Sequence, residues 1–532
     1  MFFLCPIRNN HLKKYIFNTS NSFKMKNIYS ALFILLFISP LFSQNKTQLE
    51  ILDSYYQKSL DEWHIPGMAI AITTGDSIIF SKGYGYANLD KKTRVDGNTL
   101  FAIASNSKAF TATSIGQLVE SGRLEFSDKA IDHLPYYKLY NDYTTQNENI
   151  EDLLSHRNGL KTFSGDLLWY GTKLSAKEII EGQQYLEPAH EFRTRFGYSN
   201  IGFLAAGKVL EKVTDTSWAN YVTAHFLKPL KMNRTLTSTS QLKSTNNIAS
   251  PYFYENGQHH ELKWVNWDNI APAGALISSV NDYAKWLQLN LNKGTVNGKV
   301  YYSKDLYNKL TRPHVNMPVA DNAEKINFKS YGLGWAVQDY QGYKIIGHGG
   351  GYDGMISKST FVPEKNIGII ILTNSLSWAP GALMNKTLDV LLAGKTDGKD
   401  WSSQYLTYKV KQDSISASKY KKNESLRGQF GSEPMDYKAY TGKYTDKMYG
   451  DLFVSVSNGQ LHFEMSNTAI YKAALKHWNH HIFTFRFDKN LSSLPEGKLW
   501  FDLDKNGQVE KLHIDVPNPD FYFTEFEFIK EN

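Results

Sequence analysis

Ser105-Asn106-Ser107-Lys108 opens a helical stretch in which Lys108, Ala112, Ile115 and Val119 follow one another at steps of four, three and four. That spacing draws one stripe along a helix. Lys108 therefore heads a stripe that is otherwise apolar, and Ser105, three residues earlier, lies on the same face. Surface lysines usually sit opposite the apolar stripe. A lysine on the stripe, one turn from a serine, suits another task. Free lysine is protonated at neutral pH. Burial disfavours the charged form, and the positive end of a helix N-terminus pushes the same way. A neutral amine can then take the proton of the neighbouring hydroxyl and make an alkoxide-like nucleophile. The same four residues also fit a solvated serine beside a snorkelling lysine, so the rest of the chain has to decide.

The chain has 532 residues, too long for one core, and two or three domains are expected. No repeat of 20–50 residues is apparent. Met25-Lys26-Asn27 is a short basic start, and Ile28 to Phe42 is almost wholly apolar before Ser43-Gln44 opens a polar stretch. That run is short for a membrane span and fits a secretory signal, with an uncleaved anchor as the alternative. Residues 1–24 read as an upstream start or an extended basic region. The formal charge of +7 includes Arg8, Lys13, Lys14, Lys24 and Lys26, with no acid among residues 1–43, so the remainder is near +2. Nothing in that balance asks for nucleic acid or an anionic membrane. Cys5 is the only cysteine and lies in the leader, so no disulfide or thiol nucleophile is expected beyond it. The expectation is an exported protein, periplasmic or extracellular after cleavage near Ser43 and not inserted in a membrane.

Residues 46–62 read as a helix, and Met68–Thr74 and Ser77–Lys82 as a hairpin around Gly75-Asp76. The helix bearing Ser105 stops at Gly122. Residues 125–330 are mostly helix and loop. Residues 343–346, 356–362 and the apolar run Ile367–Thr373 read as strands. The order suggests an α+β fold with an antiparallel sheet flanked by helices and a helical subdomain. Residues 396–430, rich in Lys, Ser, Asp and Gln, read as a linker with some helix. From Tyr440 the pattern turns to alternating strands: Leu452–Val456, Leu461–Met465, His481–Phe487, Leu499–Leu503 and Lys511–Val516. Asn458-Gly459 and Asn506-Gly507 mark turns between them. That is a small all-β domain, a barrel or sandwich. The expected organisation is a leader over 1–43, a catalytic domain over 44–395, a linker over 396–430 and the β domain over 431–532.

Three further segments bear on Ser105. Tyr198-Ser199-Asn200 precedes a helical run, with Asn200 suited to the cap. Tyr198 and Asn200 are two apart, so in an extended turn both can face one cleft. A tyrosine of lowered pKa can shuttle protons, and an asparagine amide can grip a substrate carbonyl. His348-Gly349-Gly350-Gly351 follows the strand Lys344–Ile346, and its glycines let a ligand approach the backbone closely. Leu154-Ser155-His156-Arg157-Asn158-Gly159-Leu160 reads as a structural loop held by local hydrogen bonds.

In this order, Ser105-x-x-Lys108, Tyr198-x-Asn200 and His348-x-Gly350 resemble the serine β-lactamase and penicillin-binding protein superfamily. The likeness is to its class C β-lactamase-like branch, which also holds D-aminopeptidases, carboxypeptidases and esterases. Supporting stretches are Ile65-Pro66-Gly67 with Lys82-Gly83-Tyr84-Gly85, Ala273-Gly274-Ala275-Leu276, and Tyr331-Gly332-Leu333-Gly334-Trp335. The likeness covers residues 46–395. It implies a β-lactamase/transpeptidase-like fold and an acyl-enzyme on Ser105, with Lys108 and Tyr198 handling the proton. The backbone N–H groups of Ser105 and Gly351 would hold the oxyanion. Asn200, His348 and Gly350 would bind substrate, a small molecule or peptide, with no metal or cofactor. Where antibiotic-hydrolysing members carry a lysine and a hydroxyl residue, this chain has His348 and Gly349, which weakens carboxylate recognition there. An ester or a D-amino-acid amide is therefore favoured over a β-lactam. The alternatives are a true β-lactamase or D,D-carboxypeptidase, and a non-catalytic receptor on the same fold. Tyr440-Thr441-Gly442-Lys443-Tyr444 and Tyr449-Gly450 resemble the lipocalin-like domain appended to some of these hydrolases.

Other patterns carry less. Asp502-x-Asp504-x-Asn506-Gly507 begins like a calcium loop, but His513 stands where a bidentate glutamate is needed, so a turn is expected. His477, His480 and His481 lack metal-ligand spacing, and His259-His260-Glu261 lacks the second histidine of a zinc-protease helix. No Gly-x-Ser-x-Gly elbow occurs, against an α/β-hydrolase.

Overall fold

The computed structural model of the protein describes residues 47–320, 326–394, 398–427, 433–487 and 494–531. The leader, with Cys5 and the apolar run, lies outside them. A first helix, α1 (47–62), is followed by β1 (Gly67–Thr73), β2 (Ile78–Asn88) and the short β3 (Thr93–Arg94). The hairpin is longer than expected, because β2 continues through Gly83 and Gly85 against β1. Next come α2 (Ser107–Glu120), α3 (Asn200–Thr214) and α4 (Val280–Leu291), with shorter helices and loops between them. Then follow β4 (Val315–Met317), β5 (Lys329–Tyr331), β6 (Ala336–Tyr340), β7 (Tyr343–Tyr352), β8 (Met355–Val362) and β9 (Ile367–Thr373). These nine strands form one antiparallel sheet in the order β4-β5-β6-β7-β8-β9-β1-β2-β3.

The central strands β1 and β9 are apolar without alternation because both faces of the sheet are covered. In β1, Met68, Ile70 and Ile72 pack with Leu52, Tyr56 and Leu60 of α1. Ala69 and Ala71 belong to the other core, with α2 and α4. In β9, Ile369 and Ile371 turn to the first side, and Ile370 and Leu372 to the second. The helix α5 (Ala379–Ala393) lies on the α1 side. Helix α2 is buried all round from Ser107 to Gly116, not along a single stripe, because it runs between the sheet and the helical region.

The segment read as a linker contains a continuous helix, α6 (Trp401–Ser425), 25 residues long. Asp400 caps it by accepting the Ser403 N–H at 3.1 Å. Only Trp401 and Ser402 are buried, and Trp401 Nε1 donates to Asp389 of α5 at 2.8 Å. A sequence polar on every side gives no apolar stripe to mark such a helix; it is held by its cap and its first turn. The following domain is a nearly closed antiparallel β-barrel of nine strands between Gly442 and Lys530. At Asn458-Gly459 both residues have positive φ (52° and 73°), the geometry of a two-residue hairpin turn. Asp504 accepts the N–H groups of Asn506 and Gln508 at 2.8 Å each, so the calcium-like stretch is a turn. Among the described residues no helix is long and apolar enough to cross a membrane, and no group of three His, Cys, Asp or Glu could hold a metal.

Candidate active site

Ser105 sits in a 3₁₀ turn (Ala104–Asn106) just ahead of α2. Ala104 has φ +46°, a left-handed conformation that costs a non-glycine residue about 1 kcal/mol or more. The turn is pinned from beneath. Asn106 Nδ2 donates to Ser357 of β8 at 2.8 Å, and Asn106 Oδ1 accepts from Ser359 at 2.6 Å and Tyr283 at 3.0 Å. Strand β7 passes directly alongside. A Cβ at Gly350 would lie 2.3 Å from the Ile103 carbonyl oxygen, so only glycine lets the backbone come this close. The segment Gly350-Gly351 thus runs beside Ser105 as an oxyanion site would require.

Lys108 is fully buried. Its Nζ lies 3.0 Å from Ser105 Oγ, 2.6 Å from Asn200 Oδ1 and 2.9 Å from the Ala273 carbonyl oxygen. It has no ion-pair partner among the described residues. Burial pushes it down to about 7, against the opposing pull of the Asp166 carboxylate. A neutral amine here donates its two N–H bonds to Asn200 and Ala273 and turns its lone pair to the Ser105 hydroxyl.

Tyr198 stands over this pair. The Lys108 Nζ is 4.8 Å from its ring centre, and its hydroxyl bonds Ser105. Sequence reasoning expected a lowered tyrosine pKa, and the structure corrects it. Burial drives Tyr198 well above its ordinary value, with the Asp166 charge adding to the rise and the Ser105 bond opposing it. Tyr198 keeps its proton at neutral pH and acts first as a donor.

The cap expectation for Asn200 also changes. Ser199 is the cap of α3, accepting the Gly202 N–H at 3.1 Å, because its shorter side chain folds back on the turn. The Asn200 amide is engaged on both sides: Oδ1 accepts from Lys108, and Nδ2 donates to Asp166 at 2.7 Å. It orients Lys108, and one of its two Nδ2 hydrogens remains available to a substrate carbonyl. Asp166 went unnoticed in the sequence. It is buried, holds Trp169 Nε1 at 2.8 Å as well as Asn200, and burial raises its pKa. Its stretch, Ser164-Gly165-Asp166, reads only as a turn.

His348 is buried with both ring nitrogens engaged, Nε2 with the Tyr331 hydroxyl at 2.8 Å and Nδ1 with the Gly349 carbonyl at 2.5 Å. Burial, with the Lys108 charge second, lowers it to about 3. It is a neutral wall whose two ring nitrogens are held by these internal bonds. The loop around His156 is structural. Asp152 is fully buried and pairs with Arg157 at 2.5 Å and Arg193 at 2.6 Å. The His156 ring packs 4.2 Å from that of Tyr198, and its Nδ1 accepts the Ser199 N–H at 3.0 Å.

The β-barrel reaches this centre. Glu525 accepts the Ser164 hydroxyl at 2.6 Å, the Gly165 N–H at 3.0 Å and the Tyr449 hydroxyl at 2.9 Å. The loop it holds carries Asp166, so the barrel braces the chain Asp166–Asn200–Lys108. Phe521 packs on Tyr170 at 4.7 Å between ring centres, and the Asn467 carbonyl accepts the Lys173 N–H at 2.8 Å. In Glu525→Ala three buried donors lose their acceptor. Stability is expected to fall by about 2 kcal/mol and kcat by about tenfold with KM little moved. Calorimetry and ester turnover check both, and a variant of ordinary kcat would show that the barrel does not position the site.

A family model described as Beta-lactamase matches residues 52–394. A second, described as a domain of unknown function (DUF3471), matches residues 428–530. The chain is similar to Unguisins hydrolase ungD' of Aspergillus campestris (strain IBT 28561), 29% identical over 365 residues covering 66% of each chain. It therefore spans just under two thirds of that relative's length. Among solved structures it resembles the octameric penicillin-binding protein homologue from Pyrococcus abyssi, with TM-score 0.60 and 22% identity over 91% of this chain and 100% of that one. It also resembles a D-stereospecific amidohydrolase from Streptomyces sp., with TM-score 0.52 and 21% identity over 64% of this chain and 98% of that one. At such identities the structural likeness shows the fold.

Proposed function

The chain belongs to the Beta-lactamase family, and from that premise we propose that it is an exported serine hydrolase cleaving an ester or a D-amino-acid amide through an acyl-enzyme on Ser105. The observation that carries this reading is the buried Lys108 amine, 3.0 Å from the Ser105 hydroxyl and paired with no carboxylate among the described residues. In the first step Ser105 Oγ forms a bond to the substrate carbonyl carbon while its proton passes to Lys108 Nζ. The oxyanion sits at the backbone N–H groups of Ser105 and Gly351. Tyr198 donates its proton to the leaving alcohol or amine as the carbonyl bond to it breaks, and is reprotonated from Lys108. Water then attacks the ester, giving up its proton through Lys108 and Tyr198, and Ser105 departs with a proton restored. The amine can start this sequence because burial leaves a large fraction of it neutral near pH 7.

The test is a parallel panel of short-chain p-nitrophenyl esters, D- and L-aminoacyl anilides and nitrocefin, on protein lacking residues 1–43. Turnover of the esters or the D-anilides is expected. Nitrocefin as the one good substrate would instead make the protein a β-lactamase. No turnover and no labelling by any acylating probe would make it a receptor.

A further inference from the structure

A cavity of about 470 Å³ has in its wall Tyr198, whose hydroxyl bonds Ser105, and His348, with Phe163 and Phe196 beside them. The β6–β7 ladder stops at the pair Ala336–Gly347, so from His348 onward β7 has no strand on that side. Through this gap the cavity continues to the sheet face covered by α5, where Met384 and Leu388 close it. Two lysines project into it, Lys358 from β8 and Lys329 from β5. Lys358 lies opposite Gly349 in the β7–β8 ladder, and a Cβ built at Gly349 would be 3.9 Å from the Lys358 Nζ. The ammonium therefore rests against the bare backbone one residue from His348.

No acidic residue among the described ones lines the cavity. Neither lysine has an ion-pair or hydrogen-bond partner among the described residues. Burial lowers both, and the charge of Lys329 lowers Lys358 further, to about 8. Two like charges facing one partly desolvated space, without a counter-ion, are unfavourable. An anion entering the cavity relieves that repulsion and meets Gln338 and Thr360 as additional polar neighbours. The aromatic wall at Phe163 and Phe196 suits an apolar stem between the anion and the scissile bond.

We propose that this cavity is a carboxylate subsite: Lys358 and Lys329 bind a carboxylate on the substrate, several bonds from the carbonyl that Ser105 attacks. The assignment rests on the hydrolase reading above and names its substrate class, an acyl compound that is itself a carboxylate. The cations stand not on β7, where His348 is neutral, but on β8 beside it and on β5 two strands away.

The test compares two p-nitrophenyl esters of equal length, the valerate and the glutarate half-ester. The wild-type protein is expected to favour the glutarate half-ester in kcat/KM. Lys358→Met should lower the ratio of the two kcat/KM values about tenfold, through the KM of the charged ester. Lys358→Arg should retain most of the preference. An unchanged ratio in Lys358→Met overturns the subsite. Calorimetric titration of free glutarate into Ser105→Ala protein reads the site without turnover. Binding that disappears when Lys358→Met is added supports the subsite even if neither ester is cleaved, in which case the hydrolase reading alone fails. Absent binding, or inorganic phosphate bound more tightly than glutarate, overturns the carboxylate assignment.

Discussion

Ser105→Ala protein is expected to lose covalent labelling by a fluorophosphonate probe and to retain no more than about one part in 10⁴ of the ester turnover. The size of the loss follows from chemistry that has no substitute nearby. Ser107 is buried and its hydroxyl donates to the Ala104 carbonyl at 2.7 Å, facing the turn and away from the cleft. Tyr198 is held protonated by burial. What survives is the contribution of backbone N–H groups and of substrate positioning to the attack of water. The fold should be indifferent to the change, because Ser105 is only half-buried and alanine is the smaller residue, and thermal unfolding of the variant should match that of the parent. Labelling that persists in Ser105→Ala would place the nucleophile elsewhere and remove the basis for the proposed mechanism.

Lys108→Met is expected to lower kcat by about a thousandfold or more, since general-base assistance contributes up to about 10⁴. Methionine fills the volume of the lysine stem, so a loss in this variant reports the amine and not a cavity. The pH profile separates a base from a mere packing group. Lys108 is lowered to about 7 by burial, and the active form is the neutral amine. In the parent, kcat/KM should therefore rise with pH through about 7 and level off above it. The groups facing the amine are Asp166, which opposes the shift, and His156 and His348, both kept neutral by burial. Asp166 is itself raised to about 7 by burial, so Asp166→Asn is needed to separate its titration from that of Lys108. The histidines stay uncharged throughout that window and add no limb of their own. The residual activity of Lys108→Met should lack the acidic limb. A limb near 7 that survives the substitution would assign the titration to another group.

The motif positions were legible in the sequence because each depends on local spacing. A lysine three residues after a serine at a helix start meets it whatever else the chain does, and glycines at 349–351 announce a backbone that must be approached closely. The roles were less legible, because they depend on what the fold brings from far away. Asn200 looked free on both sides, yet Lys108 takes its amide oxygen and Asp166, 34 residues earlier, takes one of its amide hydrogens. Tyr198 looked able to ionise, yet the rings of His156, Phe163 and Tyr331 enclose it and raise its pKa. Lys358 and Lys329 lie on different strands with no shared spacing, and only the sheet register sets them in one cavity. The strand β7 was seen for the four residues where apolar side chains mark it, and missed over His348–Tyr352, where glycine has no side chain to reveal the alternation. Helix α6 was half-seen for a related reason: a helix solvated on all sides leaves no periodic trace.

The latch at Glu525 also sets an order of events. A chain leaves the ribosome from its N-terminus, and its domains fold as they emerge. Here the segment bracing the proton-accepting amine is secured by Glu525, a side chain of the later β-barrel. A protein lacking that barrel would keep its nucleophile, its lysine and its sheet and still lack the brace. Full competence therefore waits for the second domain, and damage around Glu525 should slow chemistry performed more than 400 positions upstream.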